Sequence, residues 1–387
     1  VKTIGHVYRT LYSELAQRSL DARFASDFPA DGRFVPVTVK DRKYWYFDRP
    51  AADGSGRQDR SYVGPADDEE ISKRVEAFRD LKADVRERRK IVSTLTREAY
   101  LPRPDKMAGD IVQALADAGF FRLRGVLVGT VAFQAYSAML GARLDNTAML
   151  TSDADFAQFH SISAAVGDQL PPVVDVLKAV DPTFREIPHM NDGRMTTQFV
   201  ARSGYKVEFL TPNRGSDDNS GGPAPMPALG GASAQPLRFL DFLIYQPERA
   251  VLLHGAGVPI LVPAPERFAI HKLIVGSRRR VDRDGTAKSA KDRLQAMTLM
   301  TAMIELRQKE DLAEAYMEAW DRGPAWKEAI LASMRTFDAD SAAHLRKNLG
   351  AGVRALGGEE TEYGLEDQGR RQIEPVTPAS NKGDGAA

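Results

Sequence analysis

The sequence predicts an α+β fold: a mixed sheet flanked by helices, with a helical C-terminal subdomain and a small N-terminal module of helix, β-hairpin and helix. Three observations carry this expectation. Short apolar segments with strand-like alternation, bounded by turn residues, cluster between about residues 125 and 262. Apolar residues at helical spacing fill the stretch from Pro265 to Thr336. The first hundred residues hold a helix, an alternating aromatic hairpin and a long charged helix, and so look like a unit of their own. The 387 residues exceed one average domain of ~100–200 residues. The boundaries read from these changes of character are 1–100 for the N-terminal module, 101–262 for the α/β core, 263–350 for the helical subdomain and 351–387 for a disordered tail.

The elements follow in order. Ile4, Val7, Tyr8, Leu11, Leu15 and Leu20 recur every three or four residues, which predicts a helix over 3–22. The run from Gly32 to Pro50 reads as two strands with a tight Lys40-Asp41-Arg42 turn, and a third strand is expected around Arg60–Val63, after a Gly- and Asp-rich loop. Asp67 to Leu95 reads as a long exposed helix with acidic residues at its N-terminus. After Pro102 and Pro104 come a helix, a buried strand at Gly125–Val128 and an apolar helix starting after Gly129-Thr130. The segments TSDADFA, TFREIP, MTTQFVA and YKVEFLTP are four candidate strands, with the helix-compatible DQLPPVVDVLKAV between the first two. Residues 213–236 are rich in Gly, Pro and Ser and read as a mobile loop. Strands near Ala250–Leu253 and Val258–Val262 lead to helices at Pro265–Gly276, Ser289–Glu305, Lys309–Trp320 and Pro324–Thr336. From about Gly357 the chain is polar and reads as disordered.

Composition excludes more than it identifies. Lys plus Arg equals Asp plus Glu, at 53 each, so the net charge gives no sign of a polyanionic partner. The absence of cysteine rules out disulfides, thiolate metal ligands and thiol catalysis, leaving oxygen and imidazole as metal ligands. No stretch approaches the ~18 apolar residues of a membrane span, and no signal-peptide pattern opens the chain, so a cytoplasmic location without membrane contact is expected.

The chemistry-bearing residues lie in the α/β segment. On a strand, Asp153 and Asp155 project to one face while Ala154 and Phe156 point into the core. Paired carboxylates of this kind suit a hard divalent cation such as Mg²⁺ or Mn²⁺, which in turn neutralises a triphosphate. A third carboxylate, Glu208, sits in the apolar strand Tyr-Lys-Val-Glu-Phe-Leu. Upstream, a buried strand ends in Gly129-Thr130 at a helix start, where backbone N–H groups can approach phosphate closely. Asp-x-Asp alone also occurs at exposed strand ends, and Gly-Thr alone is common. Their combination and order give the pattern its content.

In that order the sequence resembles the DNA polymerase β-like nucleotidyltransferases, whose pattern is a Gly-hydroxyl turn, a helix, Asp-hydrophobic-Asp and a later strand acid. More narrowly it resembles an uncharacterised bacterial nucleotidyltransferase-fold family, through 125–141, 151–157, 205–212 and 263–296. The resemblance implies a nucleotidyltransferase-type sheet and transfer of a nucleoside monophosphate from an NTP, ATP among them, to a hydroxyl acceptor on RNA, protein or a small molecule. It implies Asp153, Asp155 and Glu208 as catalytic metal ligands, and Gly129 and Thr130 as nucleotide contacts. Thr130 stands where Ser is usual, and Ala154 where a larger apolar residue is common.

The resemblance also makes Lys272, Lys291 and Asp292 candidates for bordering the triphosphate, with Lys272 expected to be left available on its helix. Between Phe268 and Arg293 stand eight Lys/Arg against three Asp. Arg278, Arg279 and Arg280 fit a solvated surface as well as a binding one, and His271 fits packing better than metal ligation. Tyr44, Trp45 and Tyr46 fit cross-strand packing and also base stacking. Their cations and aromatics make the N-terminal module the expected holder of the acceptor. Two other readings stay open: a catalytically silent nucleotide- or RNA-binding module, and a toxin-like enzyme modifying transfer RNA or a protein.

Overall fold

A computed structural model describes residues 1–21, 32–39, 42–50, 58–144, 149, 151–165, 168–213, 222–279 and 283–366. The expected turn at Lys40-Asp41-Arg42, the loop at 51–57, Arg280 and the tail from 367 lie wholly or partly outside them. Among the described residues no helix is long and apolar enough to cross a membrane.

The N-terminal segment has strand β1 (Lys2–Thr3), helix α1 (His6–Asp21), strands β2 (Arg33–Val39), β3 (Arg42–Pro50) and β4 (Gln58–Pro65), and helix α2 (Glu69–Arg97). The order β2-β3-β4 is antiparallel throughout. Phe34 and Phe47 meet Phe78 of α2 edge to face, with ring centroids 5.1 and 5.6 Å away, an arrangement aromatic quadrupoles favour. Trp45 donates its indole N–H to Ser72 Oγ at 3.3 Å, so the hairpin's aromatics serve to seat the sheet on α2.

The core continues with α3 (Lys106–Asp117), β5 (Val126–Val128), α4 (Gly129–Met139), β6 (Ala142–Arg143), β7 (Asp153–Ala157), α5 (His160–Ala165), α6 (Val173–Val180), β8 (Arg185–Pro188), β9 (Thr196–Val200), β10 (Lys206–Pro212), β11 (Ala224–Pro225), β12 (Ser233–Leu237), α7 (Leu240–Leu243), β13 (Glu248–Leu252) and β14 (Val258–Val262). The central sheet runs β11-β12-β10-β7-β5 and is mixed: β12, β10 and β7 are parallel, while β5 opposes β7. The outer edge of β10 is shared. Its first half, Lys206–Glu208, pairs with antiparallel β9, and its second half, Leu210–Pro212, with parallel β12.

Part of the stretch expected to be a mobile loop is therefore sheet. Residues 222–236 contain β11, a 3₁₀ turn at Pro227–Leu229 and most of β12, with Met226, Leu229 and Ala234 buried. Small residues hide a strand from hydropathy while leaving its backbone free to pair with β10 and β11. Residues 214–221 of that stretch lie outside the described residues.

Helices α8 (Pro265–Arg278), α9 (Arg283–Glu305), α10 (Lys309–Asp321), α11 (Pro324–Met334) and α12 (Ala339–Ala355) complete the chain. The expected boundary at 350 falls inside α12. Residues beyond it dock on α10: Tyr316 Oη and Trp320 Nε1 donate to the carbonyls of Tyr363 and Glu362, both at 2.9 Å, and Leu365 is buried.

The expected boundaries at 100 and 262 do not separate cores. One buried cluster runs from Ala108 through the sheet into α8–α12. A second joins Leu15 of α1 and Leu95 of α2 to Ala138 of α4 and Val251 of β13, while β1 pairs with β6. Tyr12 reaches the same strand, accepting the Val251 N–H at 3.0 Å. Leu15→Ala should thus lower stability by about 2–5 kcal/mol in a single denaturant transition covering the whole chain. A separate early transition of the first hundred residues would contradict this coupling.

Candidate functional site

Parallel pairing of β7 with β10 sets Asp155 directly beside Glu208 and Asp153 beside Lys206. On the other side, Val128 at the end of β5 is in register with Asp155. Ala154 and Phe156 are fully buried between them, as strand alternation requires, so both aspartates face the same side of the sheet. The sheet thereby gathers Asp153, Asp155 and Glu208 at one place, next to the start of α4.

Gly129 makes the turn from β5 into α4 with φ of +69°, a left-handed conformation that favours glycine. A Cβ on it would collide with Asp155 Oδ2, so the missing side chain is also what lets the carboxylate stand against the helix N-terminus. No side chain caps α4, which leaves its first N–H groups for another acceptor. Thr130 follows, almost buried, with the Gln295 amide of α9 at 3.5 Å from its hydroxyl.

Burial and the charges of Asp153 and Glu208 push the Asp155 carboxyl up to about 7, against the opposing pull of Lys272 and Lys288. Thr151 donates its hydroxyl to Asp153, and Gln198, opposite Glu208 on β9, donates its amide to that carboxylate. Among the described residues no group of three or more His, Asp or Glu side chains is gathered closely enough to hold a metal ion by itself. The arrangement is instead a row of hard oxygen donors, two of them also engaged by neighbours, with no soft ligand among them.

Lys272 departs from the expectation that its helix leaves it available. Helix α8 packs against α9, α10 and α11, which bury both Lys272 and Asp292. Lys272 Nζ lies 2.6 Å from Asp292 Oδ1 and Arg279 Nε 2.9 Å from Asp292 Oδ2. The paired cations hold the Asp292 carboxyl below its usual range despite burial. His271, buried beside them, is held neutral with its pKa lowered to about 3, chiefly by desolvation. Lys291 is half-buried, and desolvation lowers its ammonium against the attraction of Asp153, Asp292 and Asp155.

Three contributors escaped the sequence reading. Lys288 is exposed and acts on Asp155; its spacing of three from Lys291 on one helix was the available signal. Arg279 reads from the sequence as a surface cation, solvated or binding, with no sign of its hold on Asp292. Gln198 gave no signal, because its position opposite Glu208 depends on strand register.

A cavity of about 400 Å³ adjoins Glu208, lined also by His189, Asn191, Thr197, Gln198 and Gln235 among others. It opens where β9 leaves the edge of β10 and β12 takes over.

A family model described as "Nucleotidyltransferase" matches residues 106–321, from the start of α3 to the end of α10. No curated protein and no solved structure matches the chain.

The raised Asp155 carboxyl has a consequence for stability. A group at about 7 in the folded chain holds a proton that the unfolded chain releases at about 4. Its contribution to folding is therefore full below the unfolded value and is lost as pH rises through the folded one. In metal-free buffer, Asp155→Asn should raise the melting temperature more at about pH 8 than at about pH 5. Equal effects at both would mean that burial and the neighbouring carboxylates do not raise the Asp155 carboxyl.

Proposed function

The chain belongs to the nucleotidyltransferase family, and we propose that it transfers a nucleoside monophosphate from an NTP to a hydroxyl acceptor by a divalent-metal mechanism on the DNA polymerase β-like plan. The observation that carries the reading is the alignment of Asp155 with Glu208, two residues from Asp153, in a place where burial, joined by the charges of Asp153 and Glu208, raises the Asp155 carboxyl to about 7. Such a row is unfavourable by itself and becomes favourable beside a cation.

Asp153 and Asp155, with Glu208 next to them, would hold Mg²⁺ or Mn²⁺. The donor chemistry fits, since Mg²⁺ is often held by one or two carboxylates and completed by water and substrate phosphates rather than by a closed protein cage. When bound, the ion supplies charge neutralisation for the triphosphate and acidifies the acceptor hydroxyl.

The chain's own residues do the rest. Gly129 lets the uncapped N-terminus of α4 approach the triphosphate, and Thr130, beside Gln295, adds a hydroxyl. Lys288 and Lys291 balance the negative charge that develops on the departing pyrophosphate. Lys272 acts from within the wall, where its pairing with Asp292 and Arg279 fixes α9 and so the two outer lysines. The acceptor oxygen forms a bond to the α-phosphorus, the bond from that phosphorus to the bridging oxygen breaks, pyrophosphate leaves, and Glu208 is placed to take the hydroxyl proton.

Calorimetry and transfer assays with α-labelled NTP test this. NTP should bind with Mg²⁺ or Mn²⁺ and lose measurable affinity in excess EDTA. Asp153→Ala and Asp155→Ala should abolish transfer with the fold intact, and Lys288→Ala or Lys291→Ala should weaken NTP binding about ten-fold each. Undiminished affinity in EDTA, or full transfer by the double aspartate variant, would remove the acidic row from the mechanism.

A further inference from the structure

The cavity at the fork of β10 has a chemistry of its own. Glu208 is the one residue that belongs both to the acidic row and to the cavity wall. Among the described residues the rest of the lining is uncharged, part hydrogen-bonding and part apolar (Ile187, Pro188 and Met190), with no lysine or arginine. The lysines of the site act instead on Asp153 and Asp155.

The polar lining is also fixed in place. Asn191 donates its backbone N–H to His189 Nδ1 at 3.2 Å, which makes that nitrogen the acceptor and leaves the proton on Nε2. His189 Nε2 then donates to Gln235 Oε1 at 2.8 Å. Gln198 is committed to Glu208 by its amide nitrogen, which leaves its carbonyl oxygen to accept. A nucleic-acid strand needs cations along its phosphates, and among the described residues this wall offers a carboxylate and neutral groups. The volume of about 400 Å³ suits a small organic ligand.

Resting on the reading of Asp153, Asp155 and Glu208 as the transfer site, we propose that this cavity is the acceptor site and that the acceptor is a small, neutral or cationic, hydroxyl-bearing compound rather than a nucleic acid. Its hydroxyl faces Glu208 and loses its proton there, while the remainder of the molecule is recognised by the His189–Gln235 pair and the Gln198 carbonyl. The oxygen acquires the nucleoside monophosphate, and pyrophosphate departs on the side of the lysines.

The test uses the full chain with Mg²⁺ and each NTP, offered in parallel the low-molecular-weight ultrafiltrate of a cell lysate and a single-stranded oligoribonucleotide. Mass spectrometry reads which compounds gain a nucleoside monophosphate, and calorimetry reads NTP affinity. Adducts are expected on neutral or cationic ultrafiltrate compounds and not on the oligonucleotide. His189→Phe and Gln235→Leu should each slow adduct formation about ten-fold while leaving NTP affinity within about two-fold; the retained NTP binding shows that the variants fold. An adduct on the oligonucleotide, an ultrafiltrate without adducts, or adduct formation indifferent to both variants overturns the proposal. A weakened NTP affinity in the variants also overturns it, because the cavity would then hold the nucleotide. If wild type binds no NTP, the transfer reading itself falls; if it binds NTP and no small compound is modified, the acceptor assignment alone falls.

Discussion

The pairing of β7 with β10 fixes where three carboxylates stand, and much of the surrounding architecture answers to the repulsion this creates. Parallel register puts Asp155 beside Glu208, and strand alternation keeps Asp153 on their side. Two like charges on neighbouring strands are destabilising, and burial adds to the cost at Asp155. The sequence around them answers in three ways. Gly129 removes the side chain that would crowd Asp155, Thr151 and Gln198 donate hydrogen bonds to the other two acids, and α9 brings lysines.

The helical layer is thus part of the site. Lys272 on α8 and Arg279 just past its end clasp Asp292 of α9 in a mostly buried ion network, which is strongly destabilised when one partner is lost because a charge is then left unpaired. That clasp sets the position of Lys288 and Lys291 along α9. Burial chiefly keeps His271 neutral beside it, and the charges of Lys272 and Arg279 add to that effect.

Regular elements with strong periodicity were legible in the sequence. The strands carrying Asp153, Asp155 and Glu208, the Gly129-Thr130 turn and helices α8, α10 and α11 fall where the sequence reading puts them, whereas α9 starts six residues earlier, at Arg283, and α12 is not among the expected helices. What the spacing could not convey was burial and register. Lys272 reads as the polar face of an amphipathic helix, but α8 is surrounded on more than one side. The β12 strand is built mostly from Ser, Ala, Gln and Pro, so its composition resembles a loop, and its pairing with β11 and with Leu210–Pro212 makes it a strand. Gln198, His189 and Gln235 acquire meaning from the fork at the edge of β10, a feature that no local pattern encodes. The N-terminal segment looked independent because its hairpin is locally complete, whereas Leu15 and Tyr12 tie it to β13 through contacts distant in sequence.

The central claim is that the three carboxylates form one electrostatic unit awaiting a cation. Carboxyl-carbon NMR on aspartate-labelled protein, assigned through Asp155→Asn, reads this directly. The account predicts that Asp155 titrates near 7 in metal-free protein and that saturating Mg²⁺ with NTP moves its midpoint well below the ordinary carboxylate value of about 4. A midpoint at the ordinary value without metal, unchanged when Mg²⁺ and NTP are added, would contradict it.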